Sequence, residues 1–486
     1  MAGLVTAEDV SDLPSSGRAV GLLGWLRTTP GRIRAGVAMI AVLVCGLGVL
    51  IAVIFGGVGS GFAAIGNHDA PLVEQSTGLY FSANDMDAQV ANVLLTGNDP
   101  ALATDRRQDL NVYAADRQLA EQDLQRVTAT AAADPAAQRA VGSVLDALGR
   151  YEALAADAIL VNQRGNDHAG RPSVTTLTYF EQATDLMRTG VLPAATALTS
   201  SNASSLDTAY NQHRSNAQSG RLFVLILGLA LLGALAWLQL YLARRYRRLL
   251  NPALAVATLL AGGLAITGAV QLGAQADHLK VAKQDAFDSI VALTQARAVS
   301  FDANADESRY LVDPGRAAQY QDAFLSKSQQ LAGVGNVGIR GYDAALATDI
   351  NAYQANNADV RFAGYLGSEF RNITFAGERA AATKALLAFQ VYERDDRQLR
   401  AMAGTNLNRA IAFDIGANPG QSDWAFNNWA TALGSVITIN ENAFAAAIQD
   451  GHSTGTGWNG LIPAAAVTVI VALLIVGTRR RLGEYR

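Results

Sequence analysis

The chain has 486 residues, half of them hydrophobic, a mean hydropathy of +0.14, a formal net charge of -4 and one cysteine. The hydropathy is well below that of a polytopic transporter and fits membrane helices carrying large water-facing parts, while the acidic balance argues against nucleic acid as a partner. The single cysteine, Cys45, leaves no disulfide framework and no thiol chemistry outside an apolar stretch.

In chain order, the N-terminal segment 1–34 carries Arg18, Arg27, Arg32 and Arg34 and leads into the first of four apolar stretches, 35–58, 222–243, 253–272 and 461–477. Each approaches the ~20 apolar residues that cross hydrocarbon. The first is longer than a signal-peptide core and is followed by a poor cleavage site, so it is expected to stay in place. Arg244, Arg245, Arg247 and Arg248 crowd the turn 244–252, and Arg479, Arg480, Arg481 and Arg486 fill the tail 478–486. Arginine collects on cytoplasmic flanks, so both termini and the turn are expected inside a bacterial plasma membrane, with 59–221 and 273–460 exported. Trp25 and Trp458 stand where interfacial aromatics belong.

The first polar segment breaks at Gly97-Asn98-Asp99-Pro100, at Asp134-Pro135 and between Gly165 and Pro172, each pairing a cap residue with a proline. Four helices follow. Leu79, Ala83, Met86, Val90 and Val93 on the first, and Val144, Leu148, Tyr151 and Ala155 on the third, have the spacing of a bundle seam. An up-down bundle returns the chain to the membrane beside its starting point, so a shift of its first helix against its last is a route for a signal.

The second polar segment repeats landmarks of the first. Tyr151 to Asp157 and Tyr353 to Asp359 both read Y-x-A-x-x-A-D, and Leu94-Leu95 before Asp99-Pro100 matches Tyr310-Leu311 before Asp313-Pro314. Glycines at Gly333, Gly335, Gly341, Gly364 and Gly367 make it less regular. The expected fold is an all-α membrane protein with four transmembrane helices and two extracytoplasmic four-helix bundles arranged as a tandem duplication.

Candidate chemistry is sparse. Asp302-x-Asn304-x-Asp306 imitates the start of a calcium loop, but Glu307 stands where the loop glycine belongs, so a solvated helical face is expected. His68, His168, His213, His278 and His452 have no metal-ligand spacing, and no catalytic set or phosphate loop accompanies them. Neither cofactor nor metal is expected. Arginine forks are the natural clamp for a carboxylate ligand or an acidic partner, which makes Arg106, Arg107, Arg309 and Arg316 the candidate contacts on the exported side. Arg244 and Arg245 are the candidates for lipid head groups and an acidic effector on the other. Trp424, Phe426 and Trp429 have the helical spacing of core residues. A carrier is disfavoured, since the spans hold no Asp, Glu, Lys, Arg or His and Gln239 and Gln271 lie near opposite ends.

The exported parts resemble the four-helix sensor modules of chemotaxis receptors, without the cytosolic rod or kinase that follows in those proteins. The doubled plan and the run from Asp302 to Leu311 resemble the GlnX family of actinobacterial four-span membrane proteins. That resemblance implies a relay in which a solute-binding lipoprotein, GlnH, senses acidic amino acids outside and a cytosolic Ser/Thr kinase, PknG, responds. The expectation is therefore a non-enzymatic signal relay, with a homodimer allowed by the layout. The alternative is a cell-envelope scaffold or transport-accessory protein.

Overall fold

The computed structural model describes residues 29–131, 135–246 and 251–482. Arg18, Trp25, Arg27, Asp134, Arg247, Arg248 and Arg486 lie outside them. Among the described residues all regular structure is helical, with only two isolated bridges, His168 to Arg171 and Gly333 to Ala363. The chain is an all-α membrane protein: four helical runs, Pro30–Thr96, Val174–Arg245, Pro252–Val312 and Leu461–Arg479, contain stretches long and apolar enough to span a bilayer.

In chain order the helices are α1 Thr29–Ala64, α2 Ala70–Thr96, α3 Ala103–Ala131, α4 Pro135–Gly165, α5 Val174–Leu186, α6 Leu192–Tyr246 and α7 Pro252–Lys280. Then come α8 Asp288–Val312, α9 Ala317–Leu331, α10 Ile339–Ala355, α11 Gly364–Asn372, α12 Glu378–Ala403, α13 Leu407–Asp414, α14 Ser422–Gly455 and α15 Leu461–Leu482. Single π turns at Ile65–Asp69, Met187–Val191 and Val281–Phe287 join α1 to α2, α5 to α6 and α7 to α8.

The described breaks of the first polar segment fall where the cap residues place them. Asp99 accepts a hydrogen bond from the Ala101 amide and Ser173 from the Thr176 amide, satisfying donors that a helix start leaves unpaired. Gly97 ends α2 at φ +57°, and a Cβ there would come within 2.7 Å of the His168 backbone, so no larger side chain fits without movement.

The chain divides into two compact units, one of residues 1–60, 213–277 and 451–486, the other of 61–212 and 278–450. The first contains the apolar helices. Its core joins Val44, Phe55, Leu231, Leu264, Ile470 and others, while Val42, Val53, Leu229, Leu259 and Val476 face outward as lipid-facing residues do. Gln239 is satisfied by the Leu254 carbonyl and the Thr258 hydroxyl at 3.0 and 2.7 Å, and Asn251 donates to the Gly477 carbonyl at 2.7 Å. Trp458 is buried in this unit against Phe55, at 5.4 Å between ring centroids, rather than standing free at an interface.

The polar unit takes in both polar segments, and this departs from a picture of two separate bundles. One core gathers the seams of α2 to α6 with Leu311 and Val312 of α8, Leu399 of α12, and Ile411 and Phe413 of α13. A second core is built by the other segment around Phe324, Tyr342, Phe389 and Trp429. The apolar faces of the two segments cover each other where water was expected. The second segment is also cut into seven helices among the described residues, α8 to α14, rather than four.

Helices α2 and α8 run parallel inside this unit. Asn84 donates to the Ala298 carbonyl at 2.9 Å, Ser308 to Asn92 Oδ1 at 2.6 Å, and Phe81 meets Phe301 edge-on at 4.7 Å. Asn92 and Ser308 are 216 residues apart, and the π turns that start at Ile65 and Val281 have the same separation. The Y-x-A-x-x-A-D pair does not correspond in the same way: Tyr151 to Asp157 lies within α4, whereas Tyr353 is two residues from the end of α10.

Candidate functional site

The most unusual chemistry in the polar unit lies where α2 meets α8. Asp87 interrupts an apolar seam between Met86 and Val90, and all three are fully buried. Its carboxylate accepts from Arg309 Nη2 at 2.6 Å and from the Thr184 hydroxyl at 3.1 Å. Arg309, 0% exposed, also donates through Nη1 to Asp306 at 2.6 Å and Asp302 at 2.9 Å. Lys327 of α9 completes the cluster, 2.6 Å from Asp302 and 2.6 Å from Asp306. Three carboxylates thus meet two cations, and one carboxylate comes from the other polar segment.

Burial and pairing compete at each member. Burial raises the Asp87 carboxyl above its ordinary range despite Arg309 beside it. At Asp302 burial pulls upward too, but Lys327 and Arg309 outweigh it and hold that carboxyl below the usual range. Burial works against the Arg309 charge, and the three carboxylates around it more than compensate. Tyr151, buried beside Asp87, has its phenol pushed up by burial and by that neighbour. Breaking such a pair by removing one partner typically costs about 3–5 kcal/mol, since a charge is then left buried alone.

This overturns the expectation of a solvated face at Asp302-x-Asn304-x-Asp306. Asp302 and Asp306 are buried, and their oxygens are taken by Arg309 and Lys327. The acidic run reads as surface in isolation because its partners, Asp87 and Lys327, lie far away in sequence.

On another face of the same turns of α8 the balance tips towards acid. The Ser308 hydroxyl lies 3.0 Å from Asp414 Oδ2 and Ser422 donates to Glu307 at 3.1 Å, while Arg400 pairs with Asp396 at 2.7 Å and lies 4.6 Å from the Tyr310 ring centroid. Burial, followed by neighbouring carboxylates, raises the Glu307 and Asp414 carboxyls well above their ordinary values. Asp85 of α2 also faces Asp116 of α3, and burial and their proximity raise the Asp116 carboxyl.

The six arginines singled out from sequence do not converge. Arg106 is a structural cap: its Nη1 donates to the Val93 and Gly97 carbonyls and to Asn162 Oδ1 at 2.7, 2.9 and 2.9 Å, closing the end of α2. Arg107 is exposed beside Thr104 at 3.2 Å. Arg309 is the centre of the buried cluster. Arg316 joins the two polar segments through Glu181 at 2.9 Å and Asp185 at 3.0 Å. Arg244 and Arg245 are exposed near the end of α6, beside the stacked pair Trp237 and Tyr241 at 5.7 Å. Asp87, Thr184 and Lys327 went unnoticed in the sequence; the one available signal was an aspartate inside an apolar helical seam. Trp429 and Phe426 are core residues, as their spacing predicts.

Residues 61–211 match the family model described as an actinobacterial sensor domain. Those are, within one residue at the end, the first polar segment of the polar unit. The match supports a sensing or signalling role for a multi-pass membrane protein. No curated protein and no solved structure matches the chain.

Proposed function

We propose that this protein is a non-enzymatic transmembrane relay whose polar unit receives an extracytoplasmic signal, delivered by a solute-binding lipoprotein, and passes it to a cytosolic effector such as a Ser/Thr kinase. The observation that carries this reading is the sensor-domain match at 61–211, which falls on a segment ion-paired through Asp87 to the second polar segment. A buried ion cluster of this kind is satisfied in one helix register only, so it suits a joint with discrete states better than it suits simple stabilisation. The shared separation of the two π turns and of the Asn92–Ser308 contact supports a tandem origin for the two segments. The arginine flanks support an inside location for the α6–α7 turn.

On this reading Arg244 and Arg245 serve the effector as well as lipid head groups. Replacing both with Gln, in a chain that keeps its membrane level, should weaken effector phosphorylation in response to external acidic amino acids. An unchanged response in that variant, and in one lacking residues 482–486, would move the scaffold reading ahead.

A further inference from the structure

Beside the ion cluster, the polar unit has a recess of about 480 Å³ walled by Leu192, Pro193 and Tyr80, with Arg188, Thr196 and Asp302 as its polar groups. Arg188 sits on the π turn Met187–Val191, a local widening of the helix that recurs at functional sites. It is half-buried, and among the described residues its guanidinium has no hydrogen-bond or ion-pair partner. The nearest acids along the same helical run, Glu181 and Asp185, are taken by Arg316. The Tyr80 hydroxyl likewise makes no hydrogen bond among the described residues, and the Thr196 hydroxyl, which donates to the Leu192 carbonyl at 2.8 Å, keeps its lone pairs free to accept. An unsatisfied fork above an apolar wall is suited to the planar, bidentate geometry of a carboxylate. A phosphate dianion suits it less, because its second charge would lie near Asp302.

We propose that this recess binds a small organic carboxylate, with Arg188 clamping the carboxylate group and the remainder lying on Leu192 and Pro193 towards Asp302. Asp302 is the link to the cluster. It lines the recess while holding Arg309 and Lys327, and Arg309 in turn holds Asp87 of the other polar segment. A donor group on the ligand competes for Asp302 and loosens its hold on those cations, so occupancy is read at the α2–α8 contact. This rests on the sensor reading only for its consequence; binding itself is independent of it.

The test uses the full-length protein in detergent micelles, with butanedione modification of Arg188 followed by mass spectrometry and thermal unfolding as the second readout. The probes are butyrate, alanine, butyramide and inorganic phosphate. Unliganded Arg188 should react readily. A carboxylate at about ten times its Kd should slow that reaction about tenfold and raise the unfolding temperature, while butyramide and phosphate do neither. Protection by alanine but not butyrate identifies an ammonium beside Asp302 as part of the recognition, and protection by both identifies the carboxylate alone. Arg188→Gln should abolish the thermal response and Arg188→Lys should weaken binding about tenfold, because a point charge replaces a fork. An Arg188 that is unreactive without ligand, protection by no carboxylate, or equal protection by butyramide overturns the site. The protection assay needs no variant, so it stands even if Arg188→Gln fails to fold. Binding that persists while signalling in cells is absent would sink the relay and leave the site.

Discussion

At the scale of single residues, this protein places carboxylates where apolar side chains would be expected, and the pH dependence of its stability should show it. Asp109 of α3 and Asp423 of α14 come from different polar segments, and Asp423 helps to raise Asp109. Burial, then Asp423 and Asp105, push the Asp109 carboxyl up to about 8. Burial, then Asp85 and Asp105, push Asp423 up to about 7, with the Asn304 side chain pulling the other way. A carboxyl whose folded pKa exceeds its unfolded one binds more protons in the native state, so its contribution is complete below the unfolded value near pH 4 and is lost as pH rises through the folded value. Asp302 has the opposite sign: its lowered pKa contributes stability above pH 4 that is lost only in acid. The unfolding temperature of the detergent-solubilised protein should therefore fall from about pH 4 to about pH 8. Asp423→Asn should flatten that fall; a profile that is level or rising in wild type would mean that these acids are solvated.

At the scale of elements, the helices follow from capping and periodicity, and the seams define which faces are buried. Met86 and Leu148 lie in the shared core at 0 and 4% exposure. Met86→Asp or Leu148→Asp would bury an unpaired charge and should cost several kcal/mol. Gln89 stands off the seam but is no neutral control, because its amide donates to Asp85 at 3.0 Å and an acid there would add to an already acidic contact. Gln118, exposed on α3, is the better comparison, and Gln118→Asp should leave helical circular dichroism on heating near wild type. Equal loss in all three variants would refute the burial of these seams.

At the scale of the whole molecule, the four apolar helices account for membrane insertion, and the side of the membrane taken by each polar segment can be tested directly. With Cys45 replaced by Ser, cysteines at Gln108 and Gln319, both exposed, should react with an impermeant thiol reagent in intact cells, and one at Tyr485 should not. Labelling at Tyr485 from outside would reverse the orientation read from the arginine flanks. The same experiment asks whether both polar segments lie on one side, as a single polar unit requires.

Helix content, the four apolar stretches, the breaks at Asp99 and between Gly165 and Pro172 and the core positions of Trp429, Met86 and Leu148 were all legible in the chain, because each rests on short-range rules of period, capping and hydrophobicity. The pairing of the two polar segments was not. A run such as Asp302 to Arg309 carries charges at helical spacing that a solvated face would also show. Only the arrival of Asp87 from more than two hundred residues away, with Lys327, turns it into a buried cluster. Arg106 and Arg309 look alike as arginines in sequence, yet one closes a helix end and the other holds three carboxylates. The sequence by itself determined the helices, their apolar faces and the membrane spans, which are local properties. Tertiary structure decided which charges meet out of water, because desolvation and Coulomb attraction act between neighbours in space, whatever their distance along the chain.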